Sequence, residues 1–583
     1  MQTVSDRQSG LLNAINRMAE KILGLCARVE AIPGKRPELL ALLIYGAAHL
    51  VMAIFHEPWY DEAVAWQIAR CASVRDILFE IPHYEGHPPL WHLILLPFAK
   101  LGAPYELSLP VVSLVFAGAA VGLIIWRSPF PRIVRLLLPF TYFFFYQYGV
   151  ISRPYCVMML AFMLLAMAYP GRNEKPGRYT LCLMLLCLTS AYGIVIAGGL
   201  AIVWVWEIWD RQNIGKFLKT FPKDKRIWWL AALLVLALLL IAEIMPRGDT
   251  FATNNLSEVE DKNGLLICLL YMYFASVADV MLTSAYTSYW ALQMADIDAL
   301  QLTLVCITGI VLWSIAIIWG RKKKTAILLV IPYTLFSVFA ALVYVSPHHI
   351  GIGLLIIVFW LWVSCASSDN KFVISFTEQD LQIVKAGITV LCMIIMVVSL
   401  FWNAISCVKD VFIVYATGRE EAAFISEHGL DQYCMMVGWD IYYDKEENII
   451  GMDTNHCHSA DNIAPYFENN LFFNYNDGDD RVNYSTHKRL DEAATEARLE
   501  KWATEIPEVL FMHPNLEVVY GDSCSMDEYA LVYSQINSRI WKGKSVHSKA
   551  EIHVRRDIAK KLELVEVEEA LPFWVRLFEL LVQ

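Results

Sequence analysis

Leu39-Leu40-Ala41-Leu42-Leu43-Ile44-Tyr45-Gly46-Ala47-Ala48-His49-Leu50-Val51-Met52-Ala53-Ile54-Phe55 carries no charged residue, and it runs straight into His56-Glu57-Pro58-Trp59-Tyr60-Asp61-Glu62-Ala63. A helix needs ~20 apolar residues to cross a ~30 Å hydrocarbon core, so 38–55 reads as a membrane span with a polar loop behind it. The same reading applies at 107–126, 133–149, 154–169, 179–192, 193–209, 227–245, 299–319, 326–345, 350–366 and 384–405, which makes about eleven spans. The composition agrees. Of 583 residues, 57% are hydrophobic and 18% charged, and the mean hydropathy is +0.44. A soluble protein could not cover that much apolar surface, and a disordered, collagen-like or small disulfide-stapled chain is excluded. A net charge of -11 argues against nucleic acid as a general partner. Thirteen cysteines, an odd number without CxxC spacing, give neither a zinc site nor a full disulfide framework.

Loop charge orients the spans. The basic segments 127–135, 172–178, 211–226 and 321–324, together with the basic N-terminal stretch, belong on the cytoplasmic side. All of them lie there only if each of the two ambiguous apolar stretches, 88–101 and 264–285, crosses the membrane an even number of times, most simply zero, as juxtamembrane helices within external loops 56–106 and 246–298. Residues 1–37 then form a cytoplasmic amphipathic segment, with Leu12, Ile15, Met18 and Ile22 at helical spacing. Residues 38–406 form the multi-pass domain in the cell membrane, and 407–583 an external soluble domain.

In that last region short apolar runs (434–438, 509–512, 529–533) alternate with helix-like stretches (420–428, 488–506), the pattern of a compact α/β domain. Its final stretch, 570–582, is amphipathic and suited to docking on the membrane. The fold class is mainly α: a polytopic transmembrane helical bundle with a C-terminal external α/β domain. Sequons at Asn255 and Asn483 matter only in a eukaryotic secretory pathway.

The chemistry-bearing residues cluster at span ends on one side of this topology. Asp61 is either the N-cap of the helix behind it or a carboxylate held at the membrane surface as a general base, with Glu62 beside it. The same loop continues through His83-Tyr84-Glu85-Gly86-His87-Pro88-Pro89-Leu90. The prolines suit a helix start; His83, Glu85 and His87 gathered next to them suit a substrate site. Arg153, in Ser152-Arg153-Pro154-Tyr155, either snorkels to the headgroups or pairs with a lipid phosphate. His348-His349 follow Pro347 in another loop on that side, where a surface turn, a phosphate contact and metal ligation are the alternatives; no third ligand at convincing spacing supports a divalent metal, and no cofactor is expected. Tyr192 is an interfacial tyrosine on the same side.

The order Asp61-Glu62, then His87-Pro88-Pro89-Leu90, then Ser152-Arg153-Pro154-Tyr155, with a late His348-His349-x-Gly351, resembles GT-C superfamily glycosyltransferases. Those include protein O-mannosyltransferases and lipid A aminoarabinose transferases, and the similarity is to bacterial members over roughly 38–366. The resemblance implies a GT-C-like fold and a polyprenyl-phosphate-linked sugar donor. It also implies a glycan, lipid or protein acceptor reached from the external face. Asp61 would be the catalytic base with Glu62 its neighbour, and His87, Arg153, Tyr155, His348, His349, Glu85, His83 and Tyr192 would contact donor phosphate or substrate. No lysine stands beside Pro88-Pro89, which departs from the aminoarabinose transferases. The residues alone also admit a transporter or flippase of lipid-linked glycans, or a non-catalytic membrane scaffold that binds glycans.

Overall fold

The computed structural model describes residues 2–209, 223–250, 262–284, 299–367, 378–439, 441–443, 448–453, 458–476 and 482–567. The amphipathic stretch 570–582, the Asn255 sequon and most of the basic segment 211–226 lie outside them. The chain is mainly helical, and seven helices are long and apolar enough to cross a membrane: Arg36–Phe55, Tyr105–Arg127, Ala191–Trp209, Lys225–Ile244, Ala299–Lys323, Pro347–Ala366 and Ala386–Phe412. Each coincides with an expected span.

The other four expected spans depart from the reading. Tyr155–Ala168, Pro176–Cys187 and Ala326–Leu342 are helical but, at 1.5 Å per residue, shorter than a ~30 Å core. The stretch 133–149 is not one helix at all. Arg132–Leu137 is α-helical, Leu138–Phe140 is a 3-10 turn, and Phe143–Val150 is a π-helix. Pro139 supplies no backbone donor, and the Thr141 hydroxyl turns back to the Leu138 carbonyl at 2.7 Å, so the α ladder stops there. The two ambiguous stretches are helical at Leu90–Lys100 and across Lys262–Leu270, Tyr271–Ala275 and Ser276–Met281. The N-terminal helix, Gln2–Glu30, packs along Glu378–Phe412.

Past Phe412 the chain builds two sheets. The strands are β1 (Met435–Val437), β2 (Ile441–Tyr443), β3 (Ile449–Asp453), β4 (Arg489–Leu490), β5 (Val509–Phe511), β6 (Tyr529–Trp541) and β7 (Lys544–Arg555). One sheet has the order β1-β5-β7-β6, with β1 parallel to β5 and the rest antiparallel; the other is β2-β3-β4. The runs at 434–438 and 509–512 become β1 and β5, and the helices expected there form at Gly418–Glu427 and Glu492–Trp502. The run 529–533 opens a strand far longer than expected.

β6 and β7 make a hairpin whose two-residue turn, Lys542-Gly543, has φ of 47° and 80°. Two positive φ values give a turn whose twist matches the strands. Its tip is sunk in the helical core. Trp541 packs edge-on against Tyr142 at 5.6 Å and Phe143 at 5.9 Å. The Gly543 N–H donates to the Ser406 hydroxyl at 3.1 Å, and a Cβ at Gly543 would collide with Ile405. Lys542 is fully buried, its Nζ donating to the carbonyls of Asp279 and, at 3.0 Å, Thr283.

Polar contacts tie the same C-terminal region to the loop after Arg36–Phe55. Gln67 Nε2 donates to the Asn483 carbonyl at 2.9 Å, Arg70 to that of Phe467 at 2.5 Å, and the Arg419 N–H to the Glu57 carboxylate at 2.5 Å. The Asn483 side chain is itself buried and donates to the carbonyls of Ala464 and Asn469, which removes this sequon from the surface.

Candidate functional site

The loop from His56 to Trp59 delivers the chain into a helix at Tyr60–Cys71. Glu62, not Asp61, serves that helix start. One of its carboxylate oxygens accepts the Trp59 N–H at 3.2 Å and the other accepts the Ser152 N–H at 2.6 Å. The first also meets His56 Nε2 at 3.4 Å, and Glu62 is wholly buried. Its place is therefore behind the site, fastening the loop to the segment that carries Arg153. The capping role open to Asp61 falls to its neighbour, which leaves the Asp61 carboxylate free to pair elsewhere.

Asp61 Oδ2 lies 2.6 Å from the Arg153 guanidinium. Arg153 stands between the π-helix and Tyr155–Ala168, with Pro154 at the N-cap. It also donates to His348 Nε2 at 3.0 Å. Arginine only donates, so His348 Nε2 is the acceptor, which leaves Nδ1 as the donor to the Ser346 hydroxyl at 3.2 Å. His349 Nδ1 accepts the Ser346 N–H at 2.9 Å, and its ring lies 4.7 Å from Tyr192, whose hydroxyl donates to the Tyr344 carbonyl. Tyr155 stacks on Tyr148 at 5.0 Å and approaches His348 at 5.5 Å. Asp61, Arg153, Tyr155, His348, His349 and Tyr192, far apart in sequence, are thus contiguous in space.

The second half of the loop contributes unevenly. Glu85 meets His487 Nε2 at 3.1 Å. Burial alone would raise its pKa, but His487, His92 and His87 override this and bring it to about 2. Burial, with Arg153 adding to it, drives the His87 imidazole down to about 4 although Glu85 pulls the other way. Its buried Nδ1 has no hydrogen-bond partner among the described residues. His83 does not join the group; its Nδ1–H donates to the Met245 carbonyl at 2.8 Å. The one-turn helix Pro82–Glu85 explains the divergence, because residues two apart on a helix face different sides.

Burial raises the Asp61 pKa; Arg153 opposes this and Glu85 reinforces it, and the net direction is upward. A carboxylate in that state is a better base than one on the surface, because it holds a proton more firmly once it has taken it.

Sequence reasoning gave no role to several residues found here. Arg539, exposed on β6, places its guanidinium 5.6 Å from the Trp59 ring, and Arg153 approaches the same indole at 5.9 Å. Two cations thus converge on one aromatic face-former beside Asp61. Behind them, His56 Nδ1 meets Asp410 at 2.8 Å, and the Tyr146 hydroxyl donates to Asp410 at 3.0 Å. Burial opposes charge on His56, but Asp410 and Glu62 outweigh it and push its pKa up to about 10. His56 and Trp59 stand in the quoted loop, where a histidine and an aromatic beside two acids are a visible signal. Arg539 and Asp410 have none, because only the hairpin and the last long helix bring them close. The sequence matches no protein-family model and no curated protein.

Proposed function

We propose that the chain is a membrane glycosyltransferase that moves a sugar from a polyprenyl-phosphate donor to an acceptor hydroxyl. The reading combines the resemblance in the order of its motifs with one observation that carries it: the 2.6 Å pair of Asp61 and Arg153. In this reading the bundle is GT-C-like and crosses the membrane about eleven times, an odd number, with its N-terminus cytoplasmic. The site and the C-terminal α/β domain then face the external side of the cell membrane.

The geometry supports a definite sequence of roles. The donor phosphate competes with Asp61 for Arg153, with Arg539 supplying a second positive charge nearby. Drawing the guanidinium toward phosphate loosens its hold on Asp61 and raises the basicity of that carboxylate. The acceptor oxygen attacks the anomeric carbon as Asp61 takes its proton, and the bond from that carbon to the phosphate oxygen breaks with inversion. Negative charge grows on the departing polyprenyl phosphate, where a positioned guanidinium lowers the barrier by ~2–4 kcal/mol. Glu62 holds the loop in register, neutral His87 offers its unpartnered Nδ1 to a sugar or phosphate group, and His348 steadies the Arg153 guanidinium.

The test is incubation of the purified full chain with a labelled polyprenyl-phosphate sugar and candidate acceptors. Release of polyprenyl phosphate, abolished by Asp61→Asn with the protein still folded, is the expected result. Movement of the label across vesicles without cleavage identifies a transporter instead, and full turnover by Asp61→Asn removes Asp61 from the role of base.

A further inference from the structure

Away from the Asp61 group, the long sheet carries a second concentration of ligating side chains. Glu551 and His553 lie two residues apart on β7 and so share one face of it. His513 follows the end of β5, the strand that pairs with β7 through Leu510 opposite His553 and Phe511 opposite Ile552. Between them Met512 adopts φ 68°, uncommon for a residue with a side chain, while its N–H donates to the Glu551 carbonyl at 2.8 Å. That turn folds His513 back over the strand. His513 Nε2 then stands 2.6 Å and His553 Nε2 3.9 Å from the same Glu551 oxygen, and the ligating atoms of all three residues fall within 4.8 Å of one another.

We propose that Glu551, His553 and His513 form a binding site for a divalent cation of the zinc class. Glu551 is only 3% exposed and His553 7%, yet His513 is largely open to solvent. A carboxylate so deeply buried demands compensation. The nearest fixed charge, Lys549 Nζ, is 4.0 Å from Oε1, and that oxygen accepts no hydrogen bond among the described residues. Lys549 itself is half exposed and can turn to solvent. Two imidazoles and one carboxylate are the donor set that borderline cations such as Zn2+ prefer over Mg2+ or Ca2+, which favour oxygen. Three protein ligands with one on the open side leave a fourth position for water.

The site is independent of the sugar-transfer reading. Glu551 and His553 lie five and seven residues along β7 from Val546, which pairs with Arg539, so roughly 17–24 Å separate them from that arginine.

The experiment uses the full chain, stripped with chelator, in detergent. Zn2+ alone is titrated in competition with a chromophoric chelator, and Co2+ is added separately to read the visible bands of a tetrahedral ion. One equivalent is expected. His513→Ala, at an exposed position that tolerates the change, weakens binding by about tenfold or more and removes the Co2+ bands, as does Glu551→Gln. His348→Ala and His349→Ala leave binding intact. Absence of saturable binding overturns the proposal, and so does binding undiminished in His513→Ala, or binding lost only with His348 or His349.

Discussion

Arg153 holds Asp61 at 2.6 Å and His348 at 3.0 Å with the same guanidinium nitrogen, so one side chain joins the loop after Arg36–Phe55 to the turn that opens Pro347–Ala366. A planar fork can hold both partners and still present N–H groups to a phosphate; an ammonium cannot match that geometry. Arg153→Lys is therefore expected to keep the charge but lose about tenfold or more in turnover, and Arg153→Gln to lose about a hundredfold or more. Steady-state release of polyprenyl phosphate measures both. Equal activity of the lysine variant and the parent would mean that charge alone is needed there.

The pH profile follows from the causes acting on Asp61. Burial raises its pKa above the ordinary ~3.9, Arg153 lowers it, and Glu85 raises it further. A base works only when deprotonated, so kcat/KM falls as pH drops through this raised pKa. Replacing Glu85 by Gln removes a raising influence and should move the acid limb to lower pH. Arg153→Gln removes a lowering influence and should move whatever activity remains to higher pH. An acid limb that stays fixed in both variants places another group in charge of it.

Arg539 reaches the site from β6 at the Trp59 ring, without touching Asp61 in any hydrogen bond among the described residues. Its proposed work is attraction of the donor phosphate, before and during reaction alike. Arg539→Ala should therefore raise KM for the donor by about tenfold with kcat little changed. The loss should shrink at high salt, where exposed charges are screened. A fall in kcat at unchanged KM contradicts this.

How much of this was legible depended on whether the signal was local. Apolar runs long enough to span match six of the seven long helices within about four residues, and the last, which runs on to Phe412, within about seven, because length and composition act through neighbours in sequence. The stretch 133–149 misled because hydropathy cannot see Pro139 breaking the ladder and Phe143–Val150 widening into a π-helix. Asp61, Arg153 and His348 stand out in the sequence because each interrupts an apolar run at its end, and the fold brings the three side chains together. From sequence Glu62 reads as the partner of Asp61 in the site, but adjacent helix residues point ~100° apart, and it faces inward to Ser152. The β6–β7 hairpin was missed because β7 mixes Lys, Ser and His with its apolar residues, and its turn is Lys-Gly rather than Asn-Gly.

His56 is clasped by two carboxylates, Asp410 and Glu62, all three buried. Removing the cation leaves two buried carboxylates with no opposing charge, held among the described residues only by the Trp59 and Ser152 N–H groups and the Tyr146 hydroxyl, so His56→Gln should cost about 3–5 kcal/mol. The pH dependence has a definite sign. The folded pKa of about 10 lies above the ordinary ~6.5, so this contribution is complete below pH ~6.5 and is lost as pH rises toward 10. Thermal unfolding in detergent should show a parent that weakens over that window, while His56→Gln is less stable and flatter. A variant with the parent's slope would exclude His56 as its source.

Lys542 presents the opposite case, at the tip that pins the C-terminal sheets into the bundle. Its Nζ is enclosed by the Asp279 and Thr283 carbonyls, the Asp279 carboxylate at 4.0 Å and the Trp402 ring at 4.6 Å. Burial lowers its pKa to about 8 although Asp279 supports the charge. Between pH 8 and the ordinary ~10.4 the unfolded chain holds a proton that the folded one has released, so this group's contribution to stability rises with pH. Lys542→Met removes the buried cation beside the Asp279 carboxylate, leaving it the Tyr271 and Thr283 hydroxyls, and should loosen the hairpin, which limited proteolysis between 412 and 435 would detect as faster cleavage. Asp279→Asn removes the anion beside the buried ammonium and should do the same. The double variant removes both charges at once, and a buried pair replaced together costs far less than either half alone. Recovery of protease resistance in the double variant, with the rise above pH 8 gone, is the expected signature. Additive losses would instead mean that the hairpin is held by Trp541 packing and the Gly543–Ser406 bond, with the ion pair incidental.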